Sequence, residues 1–218
     1  MQNFLYSLAL FLLFISCKEL KPKDKAIELS VAEKIANAHG FEQWKNVSEI
    51  AFTFNGRRSW LWNPGTNAIT YTKDTLTITY NRTQLDSTVI PIDRAFINDK
   101  FWLLIPFQLV WDKGLSISDP VKAQAPISQK LLNKITLSYS NVGGYTPGDG
   151  YDIFFNDDYI IEEWIFRKGN KDEPSLMNTF ENYKDFNGIK IAMEHKNAEG
   201  NWNLTFTDVK ITLKAMAK

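Results

Sequence analysis

The sequence predicts a mainly β, α+β fold: an antiparallel meander of about ten strands, preceded by one helix and interrupted midway by a second. Three observations lead there. Apolar residues recur with period two along most of the chain, and clusters of Asn, Asp, Gly and Pro separate those runs. Seven Trp, eight Tyr and fifteen Phe supply more rings than a helical bundle needs. The 25 basic residues balance 25 acidic ones, which removes the basic field on which nucleic-acid binding rests. One Cys and two His leave no material for a disulfide framework, a Cys/His zinc site or a Cys-x-x-Cys redox centre.

The first element is an apolar run, FLYSLALFLLFI at 4–15. It is shorter than the roughly 20 residues of a membrane-spanning helix and has the length of a signal-peptide core. Cys17 follows it directly after the small Ser16, an arrangement that resembles the lipobox of bacterial lipoproteins. The expected organisation is a signal peptide over 1–16, a lipidated tether over 17–29 and a single folded domain over 30–218. Cys17 is then the lipidation site, and palmitate or related acyl chains on it anchor the protein to a membrane without crossing it. Lys18 stands where an inner-membrane retention signal would place an acid, so the outer membrane is expected, with the periplasmic face favoured over the cell surface.

Ser30-Val31-Ala32-Glu33 reads as a capping box, and the helix it opens should run to about Ala38 before Gly40 ends it in a left-handed turn. After a further turn at Phe41 to Lys45, Ile50, Phe52 and Phe54 begin the alternation. It continues through Trp60-Trp62, Ile69-Tyr71, Leu76-Ile78-Tyr80, Ile135-Leu137-Tyr139, Tyr151-Ile153-Phe155, Ile160-Glu162-Trp164-Phe166, Ile189-Ile191-Met193 and Trp202-Leu204-Phe206. Asn55-Gly56 and Asn187-Gly188 are hairpin turns of the kind that take positive φ at both central residues. From Asp93 to Leu109 the alternation breaks, which predicts the second helix and a buried crossing segment. Residues 112–130, with Pro120 and Pro126, read as a long loop able to act as a lid.

The order of lipobox, helix, long meander and helical insertion resembles the outer-membrane lipoprotein sorting and carrier proteins of the LolA/LolB type. The resemblance spans about 28 to 213 and rests on Phe101-Trp102-Leu103-Leu104-Ile105-Pro106-Phe107, the hairpin YDIFFNDDYIIEEWIF from Tyr151 to Phe166, and Tyr183 to Ile191. It implies a strongly curved, unclosed barrel whose concave face, covered by helices, holds acyl chains or lipoproteins.

On that reading the protein is not an enzyme. It binds an apolar, lipid-like ligand through the inward rings Trp60, Trp62, Tyr71, Tyr80, Trp102, Tyr139, Phe155, Trp164 and Phe166, either bordering an empty trough or filling a core. No cofactor, metal or nucleic acid is expected, and an envelope protein is a further candidate partner. Two other functions compete: a degradative or carbohydrate-processing lipoprotein using paired carboxylates, and a passive accessory subunit of an envelope assembly. Nucleophile-elbow, His-Glu-x-x-His and phosphate-loop motifs are all missing from the sequence. Asp149, Asp152, Asp157, Asp158, Glu162 and Glu163 lack the spacing of a calcium loop. His39 is expected at a helix C-terminus as a partly charged partner of the dipole, and His195 in solvent at a strand end. Arg58 is expected to snorkel to solvent, or to pair with Glu162 should its face turn inward.

Overall fold

A computed structural model of the chain describes residues 28–142 and 146–215. The signal peptide, Cys17, most of the tether and the Gly143-Gly144-Tyr145 part of the glycine-rich loop lie outside the described residues.

Helix α1, Val31–Ala38, starts as its capping box requires: the Ser30 hydroxyl accepts from the Glu33 amide, and the Glu33 carboxylate accepts from the Ser30 amide at 2.8 Å. Gly40 follows with φ of 89°, and an added Cβ would stand 1.8 Å from the Gly188 carbonyl oxygen. Glycine is needed here twice, for the left-handed backbone and for the close approach. A 3-10 turn over Phe41–Asn46 leads into the strands β1 (Val47–Phe54), β2 (Arg58–Asn63), β3 (Ala68–Lys73) and β4 (Leu76–Asn81). The Asn55-Gly56 turn takes φ of 50° and 60°, the primed geometry that matches strand twist.

Helix α2, Ile90–Trp111, comes next, followed by β5 (Leu115–Ile117), β6 (Val121–Gln124), β7 (Leu131–Tyr139), β8 (Gly150–Phe155) and β9 (Ile161–Arg167). The chain ends with β10 (Leu176–Thr179), β11 (Glu181–Phe186), β12 (Ile189–Lys196) and β13 (Asn203–Leu213). One sheet has the order β11-β12-β13-β1-β2-β3-β4 and the other β10-β9-β8-β7-β5, with β6 also on β7. Every pairing is antiparallel. Phe180 alone separates β10 from β11, and its amide donates to the Glu162 carbonyl at 2.7 Å, so one run of chain carries the surface from one sheet to the other.

The result is an open, curved half-barrel with free edges at β4 and β5. Helix α2 links those two edges and fills the concave side. Its second half, Phe101 to Trp111, is apolar on nearly every face, as a helix packed between two walls must be. Phe96, Leu103, Leu104 and Phe107 join the rings of the first sheet, while Phe101, Ile105 and Leu109 join the second. Trp102 packs against both groups. Leu104 departs from helical geometry, with φ of −125° and ψ of 30°, and Pro106 two residues on cannot donate to the Trp102 carbonyl.

Three expectations are corrected. Thirteen strands replace about ten: residues 112–130 are not a free lid, since β5 and β6 lie along β7, and β10 lies along β9, all three too short to show an alternation. In β9 the buried residue is Ile161 and not Ile160, because an irregularity at Phe154 and Phe155 shifts the pairing with β8. Strand β8 is buried on both faces, its outward Phe154 covered by Ala125 and Leu132. There the Glu163 carboxylate accepts from the amides of Ile127 at 2.7 Å and Ser128 at 2.9 Å.

Candidate functional site

The nine rings named from the sequence fall into two sets. Trp60, Trp62, Tyr71 and Tyr80 belong to the interior between the first sheet and α2, and Tyr139, Phe155 and Trp164 to the interior behind the second. All seven are at most 8% exposed, packed against helix side chains. Phe96 inserts between the indoles of Trp60 and Trp62, with both ring centroids at 5.4 Å. The remaining two, Trp102 and Phe166, are only partly buried.

Trp102, Trp164 and Phe166 meet at a recess of about 220 Å³, completed by Asn98, Phe101, Thr146, Tyr151 and Leu176. The Trp102 and Trp164 rings cross edge to face at 4.5 Å, and Tyr151 lies 5.0 Å from Phe166 and 5.3 Å from Trp164. Alternation along β8 and β9 aims Tyr151, Trp164 and Phe166 inward, and the helical period puts Asn98, Phe101 and Trp102 on the facing turns of α2. A wider cleft of about 740 Å³ opens between the start of α1, Leu109, Val110 and residues 117–120, but few rings or ionisable pairs converge on it.

Carboxylates beside this interior are already engaged. Asp99, fully buried on α2, accepts from Arg58 Nε at 2.8 Å, Arg58 Nη2 at 2.7 Å and Trp60 Nε1 at 2.9 Å. Six residues earlier Asp93 accepts from Arg82 Nε at 2.7 Å and the Tyr80 hydroxyl at 3.2 Å. The two clamps repeat one design, an Arg and a ring donor from the sheet closing on an Asp of the helix. Arg58 therefore neither snorkels nor meets Glu162, which lies on the outer side with Lys130 at 3.0 Å. Asp152 pairs with Arg167, and Asp157 with Lys122 at 2.7 Å.

Both histidines also differ from expectation. His39 is fully buried rather than a charged cap: Nδ1 donates to the Ile35 carbonyl at 2.8 Å, Nε2 meets the Tyr183 hydroxyl at 3.3 Å, and burial lowers its pKa to about 4. His195 is fully buried rather than in solvent. Its Nδ1 donates to the Thr179 carbonyl at 3.1 Å, its ring lies 5.3 Å from Trp102 and 4.5 Å from Phe180, and burial lowers it to about 4. Lys100 points its ammonium over Trp62 at 5.8 Å and Trp111 at 5.7 Å, and burial lowers it to about 8.

Sequence reasoning passed over the roles of Asp93, Asp99 and Asn178, and it misplaced His195. For the aspartates a signal existed, since Asp93-x-x-Phe96-x-x-Asp99 places two acids on the face of a helix that also carries a core ring. For Asn178 and His195 none did.

Fold and site together define a helix-filled antiparallel half-barrel with a ring-lined recess between α2 and the second sheet. No protein-family model matches the chain, and no curated protein matches it. Among solved structures it is similar to a DUF1329 family protein from Desulfovibrio piger, at 7% identity and TM-score 0.41, over 85% of this chain and 93% of that one. It is also similar to a LolA superfamily protein from Nitrosomonas europaea, at 11% identity and TM-score 0.40, over 87% of this chain and 96% of that one. No helix among the described residues is long and apolar enough to cross a membrane.

Proposed function

We propose that this protein is an envelope lipoprotein, anchored to the outer membrane through acylated Cys17, that binds a segment of an apolar ligand without chemistry. The observation that carries the reading is the recess at Trp102, Trp164 and Phe166, a partly open site with rings on most sides. At about 220 Å³ it lies below the roughly 300–1,000 Å³ of pockets that enclose a drug-sized molecule. It suits one stretch of acyl chain, each methylene of which gains about 0.8 kcal/mol on leaving water. The paired-carboxylate alternative has less support, because Asp93, Asp99, Asp152 and Glu163 already serve Arg, ring or amide donors.

Mass spectrometry of lipid copurified with the chain lacking residues 1–17 tests the reading, together with uptake of a fluorescent fatty acid. Phe166→Ser, at the partly exposed wall, should weaken uptake at least fivefold and leave the unfolding midpoint nearly unchanged. Trp164, only 2% exposed, is the wrong probe, because truncating it costs about 3–5 kcal/mol of stability by itself. Uptake by the Phe166 variant equal to wild type, or no uptake by either, would remove the recess as a site.

A further inference from the structure

The half-barrel ends in two sheet edges that differ in kind. A free edge offers unpaired N–H and C=O groups to any other strand, and proteins blunt it with short strands, Pro, Lys or a bulge. One edge is blunted in this way: β5 has three residues and β6 four, Asp119 and Pro120 interrupt them, and Lys122 stands in β6. At the other edge β4 runs six residues as Leu76-Thr77-Ile78-Thr79-Tyr80-Asn81, with no charge, no Pro and an unbroken register along β3. Thr77 and Thr79 are exposed, and Leu76 is 53% exposed.

The phase of the ladder between β3 and β4 determines which groups remain free. Lys73 lies opposite Leu76 across the two-residue turn, and the Arg82 amide donates to the Asn67 carbonyl at 3.0 Å. Leu76, Ile78, Tyr80 and Arg82 therefore turn their backbone groups toward β3, and those of Thr77, Thr79 and Asn81 point away from it. The Asn81 carbonyl already accepts from the Gln84 amide at 3.0 Å. Among the described residues no backbone group meets the outward N–H and C=O of Thr77 or Thr79.

We propose that β4 pairs antiparallel with β4 of a second copy of this chain, about a two-fold axis at Ile78, joining two half-barrels into one continuous sheet. The inference is independent of the ligand reading. This register sets Thr77 of each copy opposite Thr79 of the other, and each such couple exchanges both N–H···O bonds, so all the free groups are used. A shift toward Asn81 would call on the carbonyl that Gln84 already occupies. Ile78 then meets its own counterpart, and the exposed Leu76 lies opposite Tyr80 of the second copy, both favourable cross-strand neighbours. The hydroxyl ladder of the outer face, Thr70 with Thr79 at 2.9 Å and Thr72 with Thr77 at 3.4 Å, continues across the axis. Asp74, exposed in the turn, comes level with Arg82 of the second copy, so opposite charges meet at both ends of the pairing. With 25 basic and 25 acidic residues, two copies approach without net repulsion. The strand that matches this edge at every position is the edge itself. Pairing of six residues is small beside the roughly 1,200–2,000 Å² of a stable interface, so the dimer is reversible.

The test follows the chain lacking residues 1–17, which contains no cysteine, by sedimentation equilibrium from micromolar to millimolar concentration, with amide hydrogen exchange at both ends of the range. A dimer should form in which the Thr77 and Thr79 amides exchange at least about tenfold more slowly, while the Ile78 amide is slow in both states. Ile78→Cys should give a disulfide-linked dimer on mild oxidation, since residues opposed at a non-hydrogen-bonded site have Cα atoms about 4.5 Å apart. Thr77→Cys and Thr79→Cys, which never face themselves, should not. Thr77→Lys combined with Thr79→Lys sets ammonium groups against each other and should abolish the dimer with the unfolding midpoint nearly unchanged, because both side chains already stand in water. Asp74→Asn, suited to the positive φ of that turn, should weaken association and reduce its dependence on salt. A monomer throughout the range overturns the proposal and leaves the edge to a strand from another protein. A dimer whose Thr77 and Thr79 amides stay in fast exchange, or that cross-links as readily through Thr77→Cys as through Ile78→Cys, overturns it equally. Exchange in the unmutated chain decides the matter even if a variant fails to fold.

Discussion

Replacing Asp99 by Ala removes the acceptor that Arg58 and Trp60 share. Three hydrogen bonds from β2, of 2.7 to 2.9 Å, and a fourth from Asn98 at 3.0 Å end on this fully buried carboxylate, and the first three tie the middle of α2 to β2. Breaking a buried ion pair from one side costs about 3–5 kcal/mol, because the partner stays behind without its counter-charge. Arg58 is 30% exposed and can turn its guanidinium to water, which moves the cost toward the lower end of that range. Trp60 is 2% exposed and cannot turn, so its indole N–H is stranded at about 1–3 kcal/mol. A net loss of about 4 kcal/mol follows, a large fraction of the roughly 5–15 kcal/mol that holds an ordinary domain folded. Urea unfolding at pH 7.5, followed by tryptophan fluorescence, measures it from the shift in midpoint at constant slope. Asp99→Asn keeps an acceptor for the indole and should lose about half as much. A loss below about 1 kcal/mol for Asp99→Ala would refute the clamp, and would mean that ring packing alone seats the helix.

Other expectations follow from the same contacts. His39 and His195 are held near pKa 4 when folded, against about 6.5 in the unfolded chain, so the unfolded state binds more protons between those values. Their contribution to stability is complete above pH 6.5 and is lost progressively toward pH 4, at about 1.4 kcal/mol per unit for each ring. A stability profile flat from pH 7 to 4 would contradict their burial. Gly40→Ala should destabilise by more than about 1 kcal/mol in the same urea assay, since its φ of 89° and the Gly188 carbonyl both exclude a side chain. Cys17→Ser should release the protein from the membrane fraction with an unchanged unfolding midpoint, and retention after a high-salt wash would count against the lipid anchor.

By itself the sequence determined the local pieces. Ser30 to Glu33 close their cap within one helical turn, Asn55-Gly56 and Asn187-Gly188 demand a particular turn geometry, and alternation assigns Ile50, Trp60, Tyr71, Ile153 and Leu204 to one face of their strands. These features depend on neighbours a few residues apart, so their physics is contained in a short window of sequence. The breakdown of alternation after residue 90 likewise marked α2, whose place across the two sheets no window could show.

Tertiary structure decided what depends on distant partners. His195 stands near the end of its strand, where the local pattern indicates solvent. It is buried because the crossing from β10 to β11 brings Thr179 and Phe180 over it. Arg58 found Asp99, 41 positions away, rather than Glu162, because the helix and not the far strand occupies the concave side. Residues 112–130 became sheet only by lying along β7, and β9 changed its buried residue through an irregularity in its pairing with β8. Periodicity states which residues share a face. Sheet curvature, pairing register and the matching of buried charges are settled by contacts between segments far apart in the chain, and these contacts decide whether a face is filled or open.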